Sequence, residues 1–152
     1  QGRPLLMLYV DTSALIKRYI TEPNSDEFEA FFMARTPLAI SRLTMVEVRC
    51  SLARRRRNGD IGADLEEQAM DEVRTDILDG VLDIHPVGDD QVAKALHLIG
   101  QVAPLPLRTL DALHLSIAQH LHAEDFATAD RQQADAAQAL GFNVFTFFNM
   151  KS

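Results

Sequence analysis

Four acids, Asp11, Glu47, Asp111 and Asp130, stand out by position rather than by number. Asp11 closes the unbroken apolar run Leu5–Val10, and Asp130 closes the shorter run 125–129 in the same way. Glu47 falls between Leu43 and Cys50 on a helical stripe that reads as inward-facing, where a bare carboxylate is costly unless paired or metal-bound. Asp111 lies in the first turn of a later helix. Carboxylates gathered at one edge of a fold cannot all stay ionised without a cation. An oxygen-only set without cysteine suits Mg2+ or Mn2+, and such an ion activates water and stabilises the charge that grows during phosphodiester hydrolysis. Each acid alone has a plainer reading: Asp11 as a helix-start acid, Glu47 as half of a capping box with Thr44, Asp111 as a complement to the helix dipole, Asp130 as a cap. The case for chemistry lies in their convergence.

The elements between them must supply that convergence. A short, wholly apolar run such as Leu5–Val10 marks a strand buried on both faces, as in a parallel sheet. A helix over Ala14–Tyr19 follows, with Thr12 or Ser13 as its N-cap. Asp26–Ala34 is a short helix, Pro37–Ser41 a second strand, and Leu43–Arg57 a long helix with the stripe Leu43, Val46, Cys50 and Ala53. Residues 63–79 form a helix with Leu65, Ala69, Val73 and Ile77 inward, Val81–Val87 a third strand, and Gln91–Ala103 a further helix. Thr109 caps a helix from Leu110 to His122 with Leu110, Leu113, Ile117 and Leu121 inward. Residues 125–129 are a fourth strand, Arg131–Leu140 a helix stopped by Gly141, and Phe142–Phe148 a fifth strand. Strands that alternate with helices imply a parallel sheet covered on both faces, a three-layer α/β/α unit. Such sheets bind ligands at the carboxyl ends of their strands, the edge that strand ends share with the following helix starts.

At 152 residues the chain is long enough for one domain with a real core. The net charge of −7 argues against a general polyanion binder, so any contact with nucleic acid is local and helped by metal. The strong basic run is Arg54–Arg57. No apolar stretch approaches the ~20 residues of a membrane span, and the single cysteine, Cys50, excludes an internal disulfide framework and a cysteine-rich zinc site. A cytoplasmic location fits, without a membrane. Cys50 reads as a small core residue, and His114, one turn after Asp111, as a packed or hydrogen-bonded core histidine rather than a base. The start, Gln1-Gly2-Arg3-Pro4, has no initiator Met. Residues 1–6 read as an N-terminal extension of processing or cloning origin, and 7–150 as the single domain.

The stretches VDTSALIKRY, SRLTMVEVRCSLARR, LRTLDALHLSIAQ and FATADRQQADAAQALGF resemble, in this order, the successive motifs of PIN-domain nucleases, with greatest similarity to VapC-type toxins of bacterial toxin–antitoxin pairs. The resemblance covers about Met7 to Phe148. It implies a five-stranded parallel sheet in the order 3-2-1-4-5 and a Mg2+- or Mn2+-dependent endoribonuclease that, as a toxin, inhibits translation. It places the family's acids at Asp11, Glu47, Asp111 and Asp130, and its hydroxyls at Ser13 and Thr128. It also implies a homodimer and a cognate antitoxin whose tail lies in the active-site groove and often brings an arginine to the acids.

Val10-Asp11-Thr12-Ser13-Ala14 also resembles an aspartic-protease signature, but those enzymes are nearly all β and helices fill most of this chain. A phosphoaspartate hydrolase wants a second acid where Ser13 stands, and a receiver domain wants an acid pair at the first strand's end. The rival that remains is a PIN-fold protein that binds RNA or its antitoxin with little cleavage; the presence of all four acids speaks against it.

Overall fold

The middle of the fold is set by three residues, Leu8, Tyr9 and Val10, all at or below 1% exposure. They form β1 (Leu8–Val10) in the structure, a computed structural model that describes residues 6–148. All but the last residue of the expected N-terminal extension, and the last two residues of the expected domain, lie outside that range. Alternation along the strand sends Leu8 and Val10 to one face and Tyr9 to the other, and each face meets its own apolar layer.

The chain then runs α1 (Thr12–Tyr19), α2 (Ser25–Arg35), β2 (Leu38–Ser41), α3 (Arg42–Arg57), α4 (Ala63–Leu78), β3 (Leu82–His85), α5 (Asp89–Gln101), α6 (Thr109–His120), β4 (Asp125–Thr128), α7 (Arg131–Ala139) and β5 (Asn143–Thr146). All four strand pairings are parallel, in the order β3-β2-β1-β4-β5, which is the order the family resemblance implied. Leu8 and Val10 pack with Leu15 of α1, Phe28 and Phe32 of α2, Val48 and Leu52 of α3, and Val73 of α4. Tyr9 and Phe126 pack with Leu98 of α5, Leu115 and Ile117 of α6, and Ala136 and Ala137 of α7. Each fully buried Val, Leu, Ile or Phe among them contributes on the order of 1.5–3 kcal/mol through removal of apolar surface from water. The chain builds outward from β1 to β3, then returns to place β4 on the other side of β1. The switch point of the sheet therefore lies between β1 and β4, where open α/β sheets carry their sites.

Several helix faces differ from the periodicity reading. On α3 the buried residues are Thr44, Val48, Ser51 and Leu52, whereas Val46 is 67% exposed and Cys50 is exposed rather than core. Thr44 serves not with Glu47 but with Ser41, whose N–H donates to Thr44 Oγ1 at 3.1 Å, so α3 begins at Arg42. On α4, Leu65 is exposed and Asp76 is buried instead, where it accepts from Tyr19 Oη at 2.6 Å and from Arg18 Nε at 2.9 Å. Helix α6 is buried over Ala112 and every residue from His114 to Ala118, while Leu110 is 45% exposed. A helix enclosed on nearly all sides has no clean apolar stripe, so the spacing that predicts Leu110 inward does not hold there. The N-cap residue of α6 is Arg108, one before the expected Thr109.

Candidate active site

Asp11 follows β1 directly, and its N–H donates to Ala127 O of β4 at 3.0 Å, which continues the sheet ladder past the strand end. It is itself the N-cap of α1 (Oδ1 accepts from Ala14 N at 3.3 Å), a role expected of Thr12 or Ser13. The two hydroxyls anticipated beside it are both in place. Ser13 Oγ donates to Asp11 Oδ1 at 2.7 Å, and Thr128 Oγ1 donates to Oδ2 at 2.6 Å. Ser13 Oγ in turn accepts from Ala129 N (2.8 Å), and Thr128 Oγ1 from Asp130 N (3.1 Å). The carboxylate is 3% exposed. Burial pushes its pKa up to about 6, against the charge of His114 and the hydrogen bonds from Thr128 and Ser13 that favour the ionised form.

Asp130 caps α7, with Oδ1 accepting from Gln133 N at 3.0 Å. Its other oxygen accepts from Arg108 Nη2 at 2.6 Å, and Arg108 Nε donates to Asp111 Oδ2 at 3.1 Å. One guanidinium thus holds two of the four acids together. Burial pushes the Asp111 carboxyl up, Arg108 pulls against this, and the nearby charge of Asp130 adds to the rise. The same Asp111 hydrogen bond holds the Arg108 guanidinium above its usual range.

Glu47 is half-buried, but on the face of α3 that looks into a groove rather than on the core stripe. It is not bare. Thr12 Oγ1 donates to Glu47 Oε1 at 2.6 Å, and His114 Nε2 hydrogen-bonds the same oxygen. Burial would raise its pKa; the His114 and Thr12 hydrogen bonds outweigh this and hold it below the ordinary glutamate value.

All four predicted acids therefore lie along the carboxyl edge of the sheet at the β1–β4 switch point. Among the described residues, no three His, Cys, Asp or Glu side chains are arranged to hold an ion as they stand. Asp111 and Asp130 share a guanidinium, while Asp11 and Glu47 are tied to hydroxyl and imidazole donors. The chemistry of the set still fits a hard divalent cation: its donors are oxygens only, and a positive group already spans one acid pair. A third sign is Gln133 Oε1, the one buried side-chain polar atom without a hydrogen-bond partner among the described residues. Gln133 bonds both acids' chain segments, through Asp130 Oδ1 and Asp111 O, and its orphaned oxygen calls for a donor such as a water molecule.

A groove of about 480 Å³ opens at the Glu47 side of the site, lined by Glu47 together with Thr12, Ser13, Glu22, Arg54 and Arg55 among others. Of the basic run, only Arg54 and Arg55 reach it. Arg55 pairs with Glu22 at 2.8 Å, whereas Arg56 pairs with Glu66 of α4. Arg54 has no ion pair among the described residues. A second hollow, about 560 Å³ along α4, is lined by Asp64, Glu67, Asp71 and Glu72 and would repel a polyanion. Arg108, His114 as a partner of Glu47, Thr12 and Gln133 were not assigned to the site from sequence. Their local signals are the adjacency of Thr12 to Asp11 and the three-residue spacings Arg108–Asp111, Asp111–His114 and Asp130–Gln133.

The PIN domain family profile matches residues 8–139, and the chain belongs to that family. Ribonuclease VapC46 of Mycobacterium tuberculosis is 30% identical over 139 residues, which cover 90% of this chain and 95% of the relative. Ribonuclease VapC47 of the same species is 32% identical over 138 residues, covering 90% and 93%. Among solved structures, M. tuberculosis VapC20, described as a sarcin–ricin-loop-cleaving toxin, superposes with a TM-score of 0.69 at 17% identity over 89% of this chain and 95% of its own. FitAcB of Neisseria gonorrhoeae gives 0.70 at 17% identity, covering 91% and 96%. A toxin–antitoxin complex from Klebsiella pneumoniae gives 0.64 at 18% identity, covering 95% and 99%. At these identities the structural likeness establishes the fold.

Proposed function

We propose that this PIN domain is a divalent-metal-dependent endoribonuclease, the toxin of a toxin–antitoxin pair, which acts in the cytoplasm and inhibits translation by cutting RNA. The reading is carried by the meeting of four oxygen-donor acids at the switch point of the sheet beside a groove with basic residues on its wall. The ribonuclease names of two sequence relatives that share most of their length with this chain support it. Asp11, Asp111 and Asp130 would hold Mg2+ or Mn2+, with Glu47 as a further ligand or as the group that orients the attacking water. Such an ion supplies positive charge against the phosphodiester and lowers the pKa of water.

The chain's own groups do the rest. Ser13 and Thr128 keep the Asp11 carboxylate facing the edge. Glu47 orients the water that attacks phosphorus in line; that water's proton passes to solvent, the P–O3′ bond breaks and the leaving 3′ oxygen takes up a proton from solvent, giving 5′-phosphate and 3′-hydroxyl ends. Arg108, which bridges Asp111 and Asp130, would be released toward the phosphate were those acids to hold a cation. The exposed Arg54 meets a flanking phosphate in the groove, whereas Lys17 is buried against Glu22 and Pro23 O. The family's cognate antitoxin would fill the same groove. A homodimer belongs to this reading too, and the exposed stripe Val92, Leu96 and Ile99 on α5 is apolar surface that pairing would cover.

The deciding experiment is RNA cleavage by the purified chain with EDTA and after return of Mg2+ or Mn2+. Loss in EDTA and recovery with metal are expected, and Asp130→Ala should stay inactive in both. Cleavage that persists in EDTA would overturn the metal assignment. RNA or antitoxin binding without cleavage under any divalent ion would favour the rival, a PIN-fold binding protein. Arg108→Ala separates the two roles given to that side chain. Loss of its competing charge should tighten Mn2+ binding about fivefold, while KM for RNA rises; if neither moves, Arg108 is a bystander.

A further inference from the structure

Behind Glu47 lies a chain of buried polar groups that the acids alone do not require. His114 Nε2 and Thr12 Oγ1 both reach Glu47 Oε1, and Oε2 receives neither. His114 is 1% exposed. Its other nitrogen, Nδ1, lies 2.7 Å from Tyr9 Oη, which is 3.0 Å from Ser41 Oγ. Four elements (β1, β2, α3 and α6) thus contribute to one hydrogen-bonded line that ends on a single carboxylate oxygen. An ionised carboxylate only accepts, so Nε2 must carry the proton. Tyr9 Oη, a hydroxyl that both donates and accepts, satisfies Nδ1, and the Ser41 hydroxyl satisfies the phenol oxygen in turn. Every partner in the line is accounted for when the proton sits on Nε2. The arrangement with hydrogen on Nδ1 alone would set a bare Nε2 against a carboxylate.

We infer that His114 is a positioning residue: anchored by Tyr9, its Nε2–H pins Glu47 Oε1 and leaves Oε2 to the groove as the oxygen that meets the cation or the attacking water. The core position one turn after Asp111 matters because the donor comes from a rigid, enclosed helix rather than from a mobile surface side chain. Partners behind a metal-ligating or water-orienting group typically change affinity or activity by about 10–100-fold when removed. The inference rests on the nuclease reading of Glu47, so its test includes measurements that need no RNA.

Imidazole 15N–1H NMR of the whole chain should show His114 protonated at Nε2 with slow solvent exchange. A bare Nε2 would overturn the inference whatever the enzyme does. His114→Leu keeps apolar bulk and removes the donor; it should weaken Mn2+ binding, read by electron paramagnetic resonance, or lower kcat, by about 10–100-fold with KM for RNA little changed. His114→Gln, whose amide restores an N–H near Nε2, should recover most of that loss. Folded His114→Leu protein with wild-type Mn2+ affinity and kcat would overturn the lock. Should His114→Leu not fold, Tyr9→Phe decides, since it leaves His114 in place and removes its anchor: unchanged Nε2–H exchange and unchanged Mn2+ affinity overturn the inference, and faster exchange with weaker Mn2+ binding support it. A wild-type chain that binds Mn2+ through the pinned Glu47 yet cuts no RNA would sink the nuclease reading and leave the His114 assignment standing.

Discussion

Asp11→Asn is expected to lower RNA cleavage by on the order of 10³-fold or more, about 4 kcal/mol of transition-state stabilisation, with the circular dichroism spectrum unchanged. Asn is nearly isosteric and keeps one carbonyl oxygen. That oxygen can still accept from Ser13 Oγ and Ala14 N, which now meet Asp11 Oδ1 at 2.7 and 3.3 Å. The cap of α1 therefore survives. The other oxygen becomes an amide that donates to Thr128 Oγ1 instead of accepting from it, and Thr128 already accepts from Asp130 N. The hydrogen-bond count is conserved while the charge is lost. A neutral amide is a poor partner for a hard cation, so Mn2+ affinity should fall together with the rate. If Asp11→Asn cuts RNA at the wild-type rate, the assignment of Asp11 to the metal is wrong. If cleavage is lost while Mn2+ affinity is unchanged, the residue works through positioning alone.

What could be read from the residues and what could not divide along the distance over which a signal travels. Asp11 and Asp130 were legible because an apolar run ending in an acid is a local pattern, and Ser13 and Thr128 lie two residues from those acids. The parallel α/β/α layering followed from alternation of strand and helix, but the order 3-2-1-4-5 came only with the family resemblance, since alternation alone does not say on which side β4 returns. Glu47 was singled out on a partly mistaken ground. It lies on the groove face of α3 beside Cys50 and Arg54, while the core face runs through Thr44, Val48 and Leu52. A helix at a ligand edge has two special faces, and a single-period search merges them. His114 was legible as a hydrogen-bonded core histidine, but its partners Glu47 and Tyr9 lie 67 and 105 residues away. Arg108, bridging to Asp130 across 22 residues, is equally a product of the fold. Capping uses only one oxygen of each acid: Asp11 and Asp130 cap helices through Oδ1, while Oδ2 accepts from Thr128 and from Arg108 respectively.

That double duty has a thermodynamic consequence at the acid edge. In metal-free protein, burial holds the Asp11 carboxyl up to about 6, against about 3.9 in an unfolded chain. Between those values the folded state binds more protons than the unfolded state, so stability falls as pH rises through the interval. Asp11 alone should remove about 2 kcal/mol between pH 4 and pH 7. Asp111, also raised by burial, acts in the same direction. Glu47, held low by His114 and Thr12, acts in the opposite one: its stabilisation is present above the unfolded glutamate value and is lost as pH falls through the folded one. Urea unfolding in EDTA across pH 4.5–7.5 should therefore show wild-type stability declining toward neutrality, and Asp11→Asn should flatten that slope and be the more stable protein at pH 7. Added Mg2+ should restore wild-type stability at pH 7 by mass action on the folded state and do little for Asp11→Asn. Parallel pH profiles for the two proteins in EDTA would mean that the Asp11 charge is well solvated in the folded state. In that case the desolvated carboxylate whose neutralisation draws in the cation would have to be sought elsewhere on the edge, with Asp111 the next to test.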